Sequence, residues 1–129
     1  MTTNNLEILL NAAADLVNKR QLRVVDKSYS YKFFGNAHVT LESPTIRMRL
    51  IYDRSQLMAD IGSPSKPMLN HESYIDLVRT LNDIPNALRR NSGVWNDTTE
   101  LVRAIDTHYD QLVEYVAKRW PITQSKPGQ

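Results

Sequence analysis

Apolar and polar residues alternate along the centre of the chain, from Tyr29 to Gly62. A period of two is typical of β-strands that bury one face, and turn residues interrupt it at positions 35–36, 43–44 and 53–55. The pattern predicts four strands, at 29–34, 37–42, 46–52 and 57–61. Because the gaps are short, we expect hairpins and therefore an antiparallel β-meander. Residues 22–25 form either a fifth short strand or the link to the sheet.

Each predicted strand presents one apolar face, and we assign these faces to the core. The core positions are Tyr29, Tyr31, Phe33, Val39, Leu41, Ile46, Met48, Leu50, Tyr52, Leu57, Ala59 and Ile61. The opposite face carries polar residues, among them Arg47 and Arg49, and should meet water or a partner. This assignment requires helices on the apolar face, because the flanking segments are the only available cover.

Helical periodicity appears on both sides of the predicted sheet. Apolar residues recur every three or four positions over 4–21, with Asn4 or Asn5 as the N-cap. Further helices are predicted from about residue 70 or 72 to 81, over 83–90, and over 98–120 before Pro121. The expected fold is one α+β domain over 1–121, a four- or five-stranded antiparallel sheet with the N-terminal helix and the C-terminal helices packed on one face. Residues 122–129 are expected to be a flexible tail.

The composition narrows the class of protein. Sixteen Lys and Arg against fourteen Asp and Glu leave a formal charge of +2 in 129 residues. This surplus is too small to indicate nucleic acid by itself. The chain has no cysteine, which excludes disulfides and favours a reducing, cytoplasmic location. Its apolar runs are far shorter than the ~20 residues of a membrane helix, and we expect neither a membrane span nor a signal peptide.

Residues that could carry catalysis or hold a metal are scattered. His38, His71 and His108 show no ligand spacing, and the chain contains no GxSxG motif and no glycine-rich phosphate loop. Asp53 and Asp60 could form a carboxylate pair on neighbouring strands, although nearby arginines explain them equally well. We therefore predict no catalytic residue, no metal and no cofactor, with an uncharacterised enzyme as the third alternative.

An acidic line on the last predicted helix is the main interaction signal. Asp106, Asp110 and Glu114 are four residues apart and would share one helix face. Like charges at this spacing cost about 0.2 to 0.5 kcal/mol per pair. A basic partner would explain that cost, and a solubilising helix face is the other explanation. The leading prediction is a cytoplasmic protein-binding module that uses these three residues, either as a monomer or as a homodimer.

A basic group on the predicted sheet supports the second alternative, an RNA- or nucleotide-binding surface. Lys32, Arg47 and Arg49 lie on the polar face, and Phe34 lies beside them. Sheet platforms bind RNA in this way, with basic residues on the phosphates and aromatic residues stacked on the bases. Glu42 and Asp60 offer acidic partners on the same face, so an ordinary solvated sheet explains the charges as well.

Segments 34–43 and 46–54 carry an aromatic-Gly turn, a strand ending in Glu-Ser and a strand ending in Asp-Arg, before a last strand ending in Ile-Gly. This order resembles small bacterial proteins of unknown function. The length of the chain and its predicted α-β-β-β-β-α-α order are similar to those of immunity proteins that neutralise contact-dependent toxins. The resemblance implies a protein that binds and occludes a toxin domain and has no catalytic residue.

Overall fold

The computed structural model describes residues 4–32, 35–66 and 73–121. Its elements are, in chain order, α1 (Asn5–Arg20), β1 (Arg23–Ser30), β2 (Asn36–Glu42), β3 (Arg47–Asp53), β4 (Gln56–Gly62), β5 (Tyr74–Asp76), α2 (Leu77–Asp83), α3 (Thr98–Thr107) and α4 (Tyr109–Arg119). The five strands form one antiparallel sheet in the order β1-β2-β3-β4-β5. The predicted α+β class and the meander are therefore confirmed. The predicted tail, 122–129, lies outside the described residues.

Helix α1 begins and ends where its sequence predicts. The side chain of Asn4 accepts a hydrogen bond from the Glu7 N–H at 2.8 Å, which satisfies one of the free donors of the first turn. Gln21 closes the helix in the left-handed conformation, and its N–H donates to the Val17 carbonyl. The apolar stripe of the helix is buried against the sheet through Leu9 and Leu16.

The apolar sides of β2, β3 and β4 form the centre of the core, as the alternation predicts. Cross-strand pairs such as Leu41 with Met48 and Leu50 with Ala59 keep these side chains on one face. All four are fully buried. They pack in one cluster with residues of the helices, which include Leu9, Leu16, Leu81, Leu101, Ile105 and Leu112.

The opposite side of the sheet is called the open face here. It consists of Asp26, Ser28, His38, Thr40, Glu42, Arg47, Arg49, Ile51, Met58, Asp60 and Asp76, which the strand register places on that side. These residues are exposed or half-buried except for Thr40, which is buried. The open face is therefore accessible to water along most of its length.

The first strand is displaced from its predicted position. β1 ends at Ser30, Tyr31 and Lys32 lie in a turn, and 33–34 are outside the described residues. The predicted burial of Tyr29 and Tyr31 is wrong, since they are 38% and 73% exposed, and the same prediction for Phe33 falls outside the described residues. The reason is position in the sheet: β1 is an edge strand, and α1 packs mainly over β2. β-propensity alone could not reveal which strand the helix would cover.

A fifth strand replaces the start of the second predicted helix. Tyr74–Asp76 pairs with Asp60–Gly62, so the segment supplies hydrogen bonds to the edge of β4. The helix starts only after Asp76, whose carboxylate accepts hydrogen bonds from the Val78 N–H at 2.9 Å and the Arg79 N–H at 3.2 Å. Tertiary pairing therefore overrides the helical periodicity of these residues.

Two predicted helices also differ from the structure. Residues 84–90 are not helical, because Asn86 adopts φ 64° and the Asn82 side chain bonds both the N–H and the carbonyl of Arg90. The predicted 98–120 helix is divided at His108, where φ is −107° and ψ is 17°. The His108 ring receives a hydrogen bond from the Leu88 N–H at 3.4 Å and bonds Gln111 at 2.8 Å. These contacts join α3 and α4 to the preceding loop.

Candidate binding groove

A concavity lies between α1 and α3. It has a volume of about 930 Å³, within the range of about 300 to 1,000 Å³ that ligand sites usually have. Its floor is made by Ile8 and Ala12 of α1 and Val102 of α3, with Leu16, which is buried against the sheet, beneath them. Residues 8, 12 and 16 are four apart and therefore share one face of α1. We call this concavity the α1–α3 groove.

Charged and polar side chains form the rim of the α1–α3 groove. Asp15 and Lys19 stand on α1, and Arg103 and Asp106 stand on α3. Asparagines and threonines complete the lining at positions 11, 18, 98 and 99. Within the described residues neither Asp15 nor Arg103 forms an ion pair, and both are exposed. The rim thus offers one free charge of each sign to a partner.

One end of the groove is closed by a group of ion pairs. The Asp106 carboxylate accepts hydrogen bonds from Lys19 Nζ at 2.8 Å and Arg20 Nε at 3.0 Å. Arg20 also donates to the backbone carbonyl of Asp106 at 3.0 Å and stacks over the Tyr109 ring at 4.6 Å. Hydrogen bonds from Lys19 and then Arg20 hold the pKa of Asp106 below its ordinary value. This contact fixes the spacing of α1 and α3.

The structure separates the three residues of the predicted acidic line. Asp106 lies in the last turn of α3 and pairs with Lys19 and Arg20 of α1, whereas Asp110 and Glu114 lie on α4, beyond the break at His108. Glu114 pairs with Lys118 at 2.8 Å, and Asp110 is exposed. Only Asp106 lines the α1–α3 groove. The three carboxylates are therefore not equivalent members of one ridge.

The predicted basic surface is also divided. Arg47 bonds Glu42 at 2.9 Å and donates to the carbonyls of Lys66 and Pro64, so its charge is balanced within the protein. Arg49 donates to Thr40 Oγ1 at 3.3 Å on the open face, while Lys32 lies in the turn after β1. Phe34 is outside the described residues. Among the described residues, Arg47 and Arg49 therefore share the open face, but Glu42 balances the charge of Arg47 and Lys32 lies beyond the end of β1.

A polar row that the sequence pattern does not predict crosses the open face. Successive strand pairs place Asp26, Thr40, Arg49, Asp60 and Asp76 side by side. Burial, then repulsion from Asp76, raises the pKa of Asp60 to about 6, and Arg49 opposes the shift. Burial also raises the pKa of Asp76, although N–H bonds from Arg79 and Val78 oppose it. Asp76 joins this row only because β5 pairs with β4, and no local sequence pattern indicates that pairing.

Asp60 should make stability depend on pH. Because its pKa is raised from 3.8 to about 6, the folded protein keeps a proton that the unfolded chain releases between these values. Stability is therefore lost as the pH rises through this window. The full shift is worth about 3 kcal/mol at 1.36 kcal/mol per pKa unit, and solvent screening at this half-buried site should reduce it to about 1 to 2 kcal/mol.

The measurement is the free energy of unfolding of Asp60→Asn in urea at pH 4.0 and pH 7.5. From pH 4.0 to pH 7.5, the free energy of unfolding of the variant should rise by about 1 to 2 kcal/mol relative to that of the wild type, because residue 60 of the variant cannot ionise. Asp15→Asn serves as the control for removing one negative charge elsewhere. If Asp60→Asn and Asp15→Asn gain the same stability relative to the wild type between pH 4.0 and 7.5, the surroundings of Asp60 do not cause the pH dependence.

The groove floor was also missed, although α1 gave a signal. The helix carries more apolar residues than one buried stripe needs, and Ile8 and Ala12 lie beside the stripe that faces the sheet. An apolar face wider than one contact surface indicates a second contact. Recognising it as a groove required α3, which is distant in sequence.

A metal site and a membrane-spanning helix are both absent from the part of the chain that the structure describes. No group of three His, Asp or Glu side chains in residues 4–32, 35–66 and 73–121 could hold a metal ion. No helix in these ranges is long and apolar enough to cross a membrane. Comparisons with protein-family models, curated proteins and solved structures gave no match for this chain.

Proposed function

We propose that this protein is a protein-binding module that receives an amphipathic helix of its partner in the α1–α3 groove. The proposal rests on the groove itself. Its floor is apolar, with side chains four positions apart on α1, and charged rims on two helices bound it. An amphipathic helix in an apolar groove is a common mode of protein recognition. The α1 residues that line the groove, 8–19, span about 16 Å at 1.5 Å per residue, which suits about three turns of a bound helix.

The rim indicates the chemistry of the partner helix. Asp15 and Arg103 stand on opposite sides of the groove and lack an ion pair within the described residues. A partner helix with a basic residue on one flank and an acidic residue on the other would pair with both. Such rim pairs mainly set orientation and association rate, while the apolar floor supplies the affinity.

The floor is tested with two matched arginine substitutions on α1. Ala12→Arg places a charge on the floor, whereas Ala14→Arg places the same charge on an exposed position of the same helix that does not line the groove. Each purified variant is used to capture proteins from a lysate of the source cell, and partners are quantified by mass spectrometry. A partner of the groove should be reduced about tenfold or more by Ala12→Arg, equivalent to about 1.4 kcal/mol, and kept by Ala14→Arg.

A second pair of substitutions separates the groove from the acidic residues of α4. Asp110→Lys combined with Glu114→Lys reverses both exposed charges and leaves the Asp106 contact with α1 in place. Binding in the groove should survive this double reversal. Loss of the partner with the double variant, together with its retention by Ala12→Arg, would contradict the groove and support the α4 surface.

A toxin domain is the particular partner that we propose, because the length of the chain and its predicted α-β-β-β-β-α-α order are similar to those of immunity proteins. An immunity protein acts by occlusion, which needs a binding surface and no catalytic residue. The purified partner should then lose its activity at a one-to-one ratio with the wild-type protein and regain it with Ala12→Arg. If the partner binds at a one-to-one ratio and keeps its activity, the toxin assignment is wrong, whereas the proposal of a binding module still holds.

A further inference from the structure

The two edges of the sheet are protected to very different degrees. At one edge β5 has only three residues, and beside it the Trp95 N–H donates to the Leu57 carbonyl at 2.8 Å. At the other edge β1 has eight residues, all exposed except the half-buried Ser30. A long exposed edge strand presents unpaired N–H and carbonyl groups and is a template for another strand.

We infer that β1 pairs with β1 of a second copy, antiparallel and about a two-fold axis, so that two sheets become one. This inference is independent of the groove, which lies between α1 and α3. The regular part of β1 begins after the bulge between Val24 and Asp26 and runs to Ser30. A two-fold axis perpendicular to the sheet keeps each residue on its own face, and an axis at Ser28 pairs all of 26–30 with the same stretch of the second copy.

Charge selects the same register. Axes at Asp26 or Lys27 would place like charges directly opposite each other, which is unfavourable in a sheet. An axis at Ser28 instead places Asp26 opposite Ser30 and Lys27 opposite the Tyr29 ring of the second copy. Of the three axes at Asp26, Lys27 and Ser28, only the axis at Ser28 avoids opposing like charges, and it also pairs the longest stretch of the regular strand.

The helices leave room for this pairing. α1 packs mainly over β2, which is one strand inside β1. With strands about 4.8 Å apart, each α1 axis lies about 7 Å from the two-fold axis, so the two helices are about 14 Å apart. This exceeds the distance of 8–10 Å for packed helices. Because the β5 edge is protected, the assembly ends at a dimer.

Two lysine substitutions on the same face of β1 give opposite expectations. Ser28→Lys places two lysines opposite each other at the axis and should weaken the dimer by a factor of about 1.4 to 5. Ser30→Lys places a lysine opposite Asp26 twice in each dimer and should tighten it by a factor of about 2 to 25. Sedimentation equilibrium gives the dissociation constants, and thermal unfolding followed by circular dichroism verifies that each variant is folded.

Opposite shifts of the two dissociation constants, with Ala12→Arg leaving dimerisation unchanged, would support the inference. The inference is overturned if the wild-type protein sediments as a monomer up to about 1 mM, which corresponds to a standard free energy of dimerisation of about −4 kcal/mol. It is also overturned by a dimer whose dissociation constant shifts in the same direction with both lysines, because no pairing about Ser28 predicts that result.

Discussion

Replacing Leu50 by alanine is expected to lower the free energy of unfolding by about 2 to 5 kcal/mol. Leu50 is fully buried on the central strand β3, where it lies between Val39 of β2 and Ala59 of β4. The substitution removes three carbon atoms and leaves a cavity that rigid neighbours fill only partly. Urea unfolding at 25 °C, followed by circular dichroism, gives the value.

The matched control is Ile51→Ala at the next position along β3. Ile51 points to the open face and is half-buried, so its truncation should cost only about 1 kcal/mol. The comparison tests the register directly, because a slip of one residue would exchange the two faces. A larger loss at Ile51 than at Leu50 would mean that the described register is inverted.

Replacing Arg90 by alanine is expected to cost about 2 to 4 kcal/mol. The guanidinium stacks on the Trp95 ring at 4.1 Å, pairs with Glu100 and donates to the Val94 carbonyl at 3.0 Å. Its removal leaves the face of a buried tryptophan uncovered and Glu100 without its cation. Both losses destabilise the connection between α2 and α3.

Two further variants define the cause of the Arg90 effect. Arg90→Lys keeps the charge without the planar stacking group, so its stability should lie between those of the wild type and the alanine variant. Arg79→Ala removes an exposed arginine of α2 and should change stability by about 0.5 kcal/mol or less. If Arg79→Ala is as destabilising as Arg90→Ala, general loss of positive charge explains the result and the stack with Trp95 does not.

The site was less predictable than the fold. Asp106 was selected for its spacing from Asp110 and Glu114, yet its surroundings depend on α1, which is 86 residues earlier in the chain. The rim charges Asp15 and Arg103 line the same groove for the same reason. A single helix pattern reports which residues share a face of that helix and contains nothing about which other helix lies beside it.

By itself, the sequence determined which faces of β2, β3 and β4 are buried and, to within a residue, where α1 begins and ends. These features depend on interactions within a few residues: the alternation of side chains in a strand and the asparagine cap at the start of the helix. Each could be derived from periodicity and capping chemistry alone, whereas the left-handed conformation of Gln21 could not. They also established the α+β class, because alternating strands flanked by amphipathic helices permit few other architectures.

Only the tertiary structure decided where β1 lies, that Tyr74–Asp76 is a strand, and that a helix break occurs at His108. Each of these is set by hydrogen bonds or burial between segments far apart in sequence, and their free energies exceed the small local preferences that opposed them. The α1–α3 groove has the same origin. Two helices with ordinary patterns form a binding surface only because the fold places them side by side.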